Sequence, residues 1–479
     1  MVRAMNEYKY QSLAKRLINK IEQGLLQSGD RLPSIRQLSS QYKLAKVSVQ
    51  HALHYLEARG MVEARPRSGY YVTAVIRQTQ PKLDSKFEDK PGLVEVPNIF
   101  HQIMSKGAAF DLCPLAPLHD HMPHTQFLHR FISRAQRQDS RRNAVYYSPP
   151  EGDLRLRKQI QNHYKTRNCA LHEDQVCITS GCQNSLFIAL MACCNPGDTI
   201  AIESPAFYGV LQIAQQLRLK VIEVSCSAIT GLNADDLEKI IAKWPVKACV
   251  VTPSYATPTG ACMPYHEKQK LADLAEKHNI YLIEDDIYGD LGFTLLPEPL
   301  KRFDRRGNVI LCGSFSKSLS RDLRVGWISG GSLHDKVIHL KLVNQLSCGQ
   351  AVQTGLASFL SEGHYRRHLN RYRQQLRQRR DNLVQALVQT FGSEVSYTVP
   401  EGGLALWVEL PPNLDTHKMY LPLLAKGINI TPGVLFSSQR RYLNYLRLSF
   451  AHTLDKHRKN ALSTIKQHID GLYMSPKSD

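Results

Sequence analysis

The chain lacks the features that would embed it in a membrane or hold it together by cross-links. No stretch approaches the roughly 18 consecutive apolar residues of a membrane span. The segment MVRAMNEYKYQSLAKRL at the start is polar and amphipathic, without the apolar core of a secretory signal. The eleven cysteines are scattered, only Cys193 and Cys194 are adjacent, and there is no CxxC pair. That argues against a zinc site or a disulfide framework and for free thiols in a reducing compartment, so a cytoplasmic location is expected. Acid is also scarce in two places. Residues 1–80 hold thirteen Lys/Arg against five Asp/Glu, and His364 to Arg380 (HYRRHLNRYRQQLRQRR) has seven arginines and no acid.

What is present describes an ordinary globular protein of 479 residues, 43% hydrophobic and 22% charged, too long for one core and so built from two or three domains. The formal charge of +19 points to an anionic partner. In the second basic block Tyr365, Leu369, Tyr372 and Leu376 recur at helical spacing, which reads as a connecting helix with one buried stripe and a solvated basic face.

Leu13, Leu17, Ile21 and Leu25 set out a first helix. Ser34 with Gln37 is a capping-box pair that opens a second helix from Ile35 to about Tyr42. After a tight turn comes a third, Val47 to Arg59, with Val49, Leu53 and Leu56 inward and Lys46, Ser48, Gln50 and His51 outward. Two helices joined by a short turn, the second polar and basic at its start, suit insertion into a major groove. MVEARPRSGYYV then alternates as a hairpin with Arg65 and Arg67 at its turn, a wing whose arginines would meet phosphates or the minor groove; the plain alternative is a three-helix bundle with a hairpin. A stretch with three prolines and mixed charge follows as a tether.

From Phe110 onward apolar runs alternate with helical segments, the pattern of an α/β sheet whose ligands gather at the carboxyl ends of the strands. Strand Gln175–Thr179 runs into Ser180-Gly181-Cys182-Gln183, which is either a phosphate-binding turn at a helix start or another capping box. The next strand ends in SPAFYG, offering Phe207 or Tyr208 as a stacking ring or as core. Strand Tyr281–Glu284 delivers Asp285, Asp286 and Tyr288, and acids there are not explained by packing. An aspartate beside a pyridine nitrogen keeps it protonated, and a tyrosine three residues on reaches the ring's phenolic oxygen. Ser314 to Trp327 (SFSKSLSRDLRVGW) carries Lys317 with Ser314, Ser316 and Arg324, a Schiff-base loop or an ordinary surface loop; Arg447 in YLRLSFA is a fork for a carboxylate.

Two resemblances draw these parts together. GDRLPSIRQL…KVSVQHALHYLEARGMVEARPRSGYYV resembles the GntR-type winged helix, which implies that Arg36, Lys46, Ser48 and Gln50 contact double-stranded operator DNA. YYSPPEGDLRLRKQI, SGCQNSL, ESPAFYG, TPSYATPTG, EDDIYGD, SFSKSLSRDLRVGW, GGLALWVEL and YLRLSFA resemble the fold-type I, class I/II aminotransferases. By that resemblance Lys317 forms the internal aldimine with pyridoxal 5′-phosphate, Asp285 pairs with the ring nitrogen, Tyr288 with O3′, and Phe207 stacks. Gly181, Cys182, Gln183, Ser314, Ser316 and Arg324 hold the phosphate, Tyr147 reaches the partner subunit's phosphate, and Arg447 takes the substrate carboxylate. Thr257 stands where these enzymes usually have asparagine, which bears on turnover more than on cofactor binding.

The combination looks like the MocR subfamily of GntR-type regulators. It implies a winged helix over 7–75, a linker over 76–105, and an aminotransferase-like α/β domain over 106–475. That domain would hold a mostly parallel sheet between helices and a small subdomain at about 365–475. The function implied is a regulator that senses an amino compound through an external aldimine, in a head-to-tail homodimer. The alternatives are a working aminotransferase with an accessory DNA module, and a DNA-binding protein whose large domain no longer holds cofactor.

Overall fold

The computed structural model describes residues 9–22, 25–26, 29–58, 61–65, 68–72, 80–81, 90–95, 100, 102–103, 111–116, 125–140, 147–294 and 296–474. The chain divides into two compact units. One holds residues 1–79 with 378–396 and 454–479; the other holds 80–377 and 397–453. No described helix is long and apolar enough to cross a membrane.

Within residues 9–72, α1 spans Lys9–Glu22, α2 Ile35–Tyr42 and α3 Lys46–Ala58, followed by a hairpin of β1 (Val62–Arg65) and β2 (Gly69–Val72). The capping box forms: Gln37 N donates to Ser34 Oγ at 3.2 Å and Ser34 N to Gln37 Oε1 at 2.8 Å. These bonds occupy two of the N–H groups a helix start leaves unpaired. Lys43, with φ at 50°, ends α2 and turns the chain into α3. Leu13, Leu17, Ile21, Leu38, Val49, Leu53, Leu56, Val62 and Val72 close a core of their own. Leu25, expected to continue the α1 stripe, is instead 68% exposed. The helix has already ended at Glu22, so the heptad-like spacing no longer carries it to the core side.

The larger unit is built on a mixed sheet. Val309–Ser314, Tyr281–Asp285, Val246–Val251, Thr199–Ser204 and Lys220–Ser227 run parallel to one another, and Gly326–Ser329 enters antiparallel between Val309–Ser314 and Cys177–Thr179. Alternate residues face opposite layers, as the two-residue period of a strand requires. Ile200, Ile202, Ile283 and Ile310 pack with helix Cys182–Cys193, whereas Ala201, Leu282 and Val309 pack with Ala234–Lys243 and Tyr265–His278. A smaller sheet pairs Ala405–Glu409 with Tyr445–Ser449 antiparallel.

The basic segment is one helix, His364–Phe391, with Tyr365, Leu369, Tyr372 and Leu376 all buried on its inner stripe.

Candidate functional site

Four parallel or adjacent strands end on the same side, and their last residues deliver the groups singled out in the sequence. Thr179 leads to Gly181, Ser204 to Phe207, Asp285 closes its own strand, and Ser314 leads to Lys317. A cavity of about 440 Å³ lies there. Its lining includes Cys182, Gln183, Phe207, Asp285, Tyr288, Ser316, Lys317 and Arg324.

Asp285 is held from one side. Its Oδ1 accepts from the Cys182 thiol at 3.1 Å and from Ile287 N at 3.2 Å. Burial pushes its carboxyl up to about 6, against the opposing pull of those two donors. Asp286, its neighbour, is turned away. Arg167 clasps it with Nη1 and, at 2.9 Å, Nη2, and Tyr164 donates to it at 3.0 Å, so its charge is paired inside the protein. Of the two acids only Asp285 faces the cavity.

Lys317 is a half-buried side chain whose amine lies well below its usual pKa. Burial is the first cause, and the positive fields of Arg321 and Arg447 add to it; Asp285 opposes them. A neutral amine is the nucleophilic form. The residue after it is gripped: Tyr365 Oη is 2.7 Å from Ser318 Oγ and donates to Asp290 Oδ2, also at 2.7 Å. His368 Nε2 is 2.8 Å from the Ser318 carbonyl oxygen, which accepts from it. The first turn of the basic helix thus fixes the backbone that carries the lysine.

At the helix start beyond Thr179 the capping-box alternative does not form. Gly181 is the N-cap, no side chain caps the helix, and Gln183 Nε2 donates to Gly209 O at 3.0 Å. Asn184 N donates to Gly181 O at 3.1 Å, so the N–H groups that the first turn keeps for another acceptor are those of Cys182 and Gln183. Gly181 has φ at +115°, and a Cβ there would sit 2.6 Å from Arg324 Nη2. Arg324 donates to Ser180 O at 2.8 Å and to Ser316 Oγ at 3.4 Å. Ser314 does not line the cavity; its hydroxyl donates to Val325 O at 2.9 Å and accepts from Ser316 N at 3.1 Å, so it shapes the loop behind Ser316.

Thr257 and Arg447 stand one layer back. Arg447 is buried with its guanidinium 5.6 Å from the Tyr208 ring and 5.3 Å from Phe436. Its Nη1 is 3.5 Å from Thr257 Oγ1, and the same hydroxyl hydrogen-bonds Tyr288. Thr257 thus links the phenol and the guanidinium, although it cannot reach as far as an asparagine. Burial raises the Tyr288 phenol, and the Arg447 charge opposes the rise.

Both candidate stacking rings line the cavity, Phe207 and Tyr208 at 4.9 Å from each other, and Phe100 packs on Tyr208 at 4.9 Å. Phe100, Gly209, Gln212, Ile287 and Arg321 also line it without having been singled out as site residues. Gly209 and Ile287 lie inside the motifs ESPAFYG and EDDIYGD, and Arg321 is a charge four residues past Lys317, whereas Phe100 and Gln212 stand outside every motif. Tyr147 is 78% exposed, away from these groups' own burial.

On the winged helix Arg36, Lys46 and Gln50 are exposed and Ser48 half-buried, all on α2 or α3. Arg65 is the last residue of β1. It is paired with Glu63 at 2.6 Å and lies over the Tyr71 ring at 4.3 Å. Arg67 falls outside the described residues.

These two pieces define a recognisable class: a gntR-type DNA-binding module joined to an aminotransferase fold. Residues 9–72 match the profile of the bacterial regulatory proteins of the gntR family, and residues 120–465 match aminotransferase class I and II. The chain belongs to the aminotransferase class I and II family and carries the fused arrangement known as the MocR architecture. It is 35% identical to the uncharacterized HTH-type transcriptional regulator YjiR of Escherichia coli over 96% of this chain and 98% of that protein. To YdcR of the same organism, another uncharacterized HTH-type transcriptional regulator, it is 32% identical over 96% and 99%. Among solved structures it resembles Pyrococcus horikoshii kynurenine aminotransferase (TM-score 0.72, 22% identity, 80% of this chain and 96% of that one). It also resembles the α-aminoadipate aminotransferase LysN of Thermus thermophilus (TM-score 0.70, 24% identity, 79% and 95%). At those identities the structural likeness speaks for the fold alone.

Proposed function

We propose that the protein is a pyridoxal 5′-phosphate-dependent, DNA-binding transcriptional regulator that recognises an amino compound at Lys317. The observation that carries this is the gathering of Lys317, Asp285, Tyr288, Ser316 and Arg324 around one cavity. The residues fit the cofactor. The space kept open by Gly181 beside Arg324 and Ser316 suits a phosphate dianion, Asp285 presents a carboxylate, and Phe207 and Tyr208 present rings. When bound, the cofactor supplies an aldehyde carbon that an amine can occupy reversibly and a ring that withdraws electrons from it.

Each residue then has a task. Arg324, Ser316 and the first turn of helix Cys182–Cys193 bind the phosphate. Asp285, steadied by the Cys182 thiol, keeps a proton on the ring nitrogen. Tyr288 donates to the phenolic oxygen, with Thr257 behind it. Lys317 would hold the cofactor's aldehyde carbon at the place where a ligand amine is received, and Arg447 would take the ligand's carboxylate. The polar faces of α2 and α3 carry Arg36, Lys46, Ser48 and Gln50 to DNA, with Arg65 and Arg67 on the wing. The exposure of Tyr147 suits a residue that serves the phosphate of a second copy in a homodimer.

A second reading, a working aminotransferase, is favoured by the same site, since the one departure from the usual set is Thr257. The two separate in one experiment. Purified protein should show a cofactor absorbance band that Lys317→Ala abolishes and that amines shift, with DNA affinity changing in step. Sustained conversion of an amino acid and a 2-oxo acid would favour the enzyme instead. Operator binding unaffected by Arg36→Ala and Gln50→Ala would remove the DNA-binding half of the proposal.

A further inference from the structure

The cavity carries more positive charge than the scheme above employs. Lys317, Arg321 and Arg324 line it, and Asp285 is the one acidic residue among the described lining residues. Arg447 stands just behind Tyr208, and its field reaches Lys317. In that scheme Arg324 answers the phosphate, Asp285 the ring nitrogen, and Arg447 one carboxylate. Arg321, which that scheme does not use, faces the same space four residues past Lys317 and is exposed. Like Arg324 it is exposed, and it lines the cavity together with Lys317, where the ligand amine would arrive. Phe100, Phe207, Tyr208, Ile287 and Gln212 give the cavity aromatic, apolar and amide walls. A ligand stem would run along those walls, and an exposed guanidinium fork suits an oxyanion at its far end.

Resting on the reading that Lys317 receives an amine, we propose that the amino compound is itself acidic. It would be an amino acid whose side chain ends in an anionic group, its α-carboxylate directed to Arg447 and its distal anion held by Arg321. A carboxylate, a phosphate or a sulfonate shares that chemistry, and stem length selects among them.

The test uses the full-length protein with its cofactor bound and follows the cofactor absorbance during titration. L-glutamate is compared with L-glutamine, which has the same shape without the charge. L-aspartate, L-2-aminoadipate and O-phospho-L-serine then vary the length and the anion. At least one acidic amino acid should half-saturate at a concentration about tenfold or more below its neutral counterpart, as expected for a charge-assisted pair. Arg321→Gln should bring that ratio close to one, and Arg321→Lys should retain part of it. Equal responses to acidic and neutral members, or a ratio that survives in Arg321→Gln, would overturn the inference while leaving amine recognition intact. A loss of affinity in Arg321→Gln for pyridoxal 5′-phosphate but not for pyridoxal, with the acidic preference retained, would make Arg321 a phosphate ligand and overturn it too. No response to any amine would sink the underlying reading as well.

Discussion

Asp285 shows how much of a site can be written in a single strand end. An acid closing an apolar strand has to be explained, and the sequence offered two, Asp285 and Asp286. What separates them is tertiary: Arg167, more than a hundred residues earlier, neutralises one and leaves the other to the cavity. No local pattern announces that pairing. Likewise Thr257 is visible as a departure from a motif, but its hydroxyl contact with Arg447 depends on chain brought from 190 residues away. The raised carboxyl of Asp285 has a consequence for stability. In the cofactor-free protein its pKa is about 6, against 3.8 for an ordinary aspartate. The native state holds a proton that the unfolded chain has released, so stability falls as pH rises between those values, and the full cost is present above them. Asp285→Asn should therefore unfold later in urea than the wild type at neutral pH, by up to about 3 kcal/mol. The difference should shrink below pH 6 and vanish only below about pH 3, where the carboxyl is neutral in the unfolded chain as well. Equal stability at neutral pH would mean that the carboxylate is better solvated than its burial implies.

Elements were more legible than their arrangement. The boundaries of α2 follow from the Ser34–Gln37 pair, and helix Tyr265–His278 follows from its own period, because both signals are local. The stripe of Tyr365, Leu369, Tyr372 and Leu376 was readable for the same reason. Its purpose was not, since the contacts of Tyr365 and His368 with Ser318 join segments some fifty residues apart. Leu25 shows the opposite failure, a periodic residue beyond the helix that the period described. On the DNA side, α3 separates two kinds of contact that can be measured apart. If Lys46 neutralises one phosphate, Lys46→Ala should weaken binding to all sequences alike and lower the slope of log affinity against log salt by about one. Gln50→Ala should leave that slope in place and relax the choice of base at one position. A Lys46 variant with an unaltered slope would move that residue off the phosphate backbone.

At the scale of the whole molecule, among the described residues the winged helix closes a core drawn from residues 10–72, and the candidate cavity is lined by residues between 100 and 324. Each can be stabilised by its own ligand. Scanning calorimetry should resolve more than one transition. At a hundredfold excess over its dissociation constant, pyridoxal 5′-phosphate should stabilise the large domain by about 2.7 kcal/mol. The winged-helix transition should stay where it was, while operator DNA should move that transition instead. A single transition displaced equally by both would show that the two parts unfold as one.

Phe100 gives that independence a boundary. Its ring is seated in the cavity wall against Tyr208. Next to Lys317, Ser318 is pinned by Tyr365 and His368. An occupant that needs more room meets a pinned backbone beside the lysine and a packed pair of rings at Phe100 and Tyr208, so any widening of the chamber falls on that ring pair.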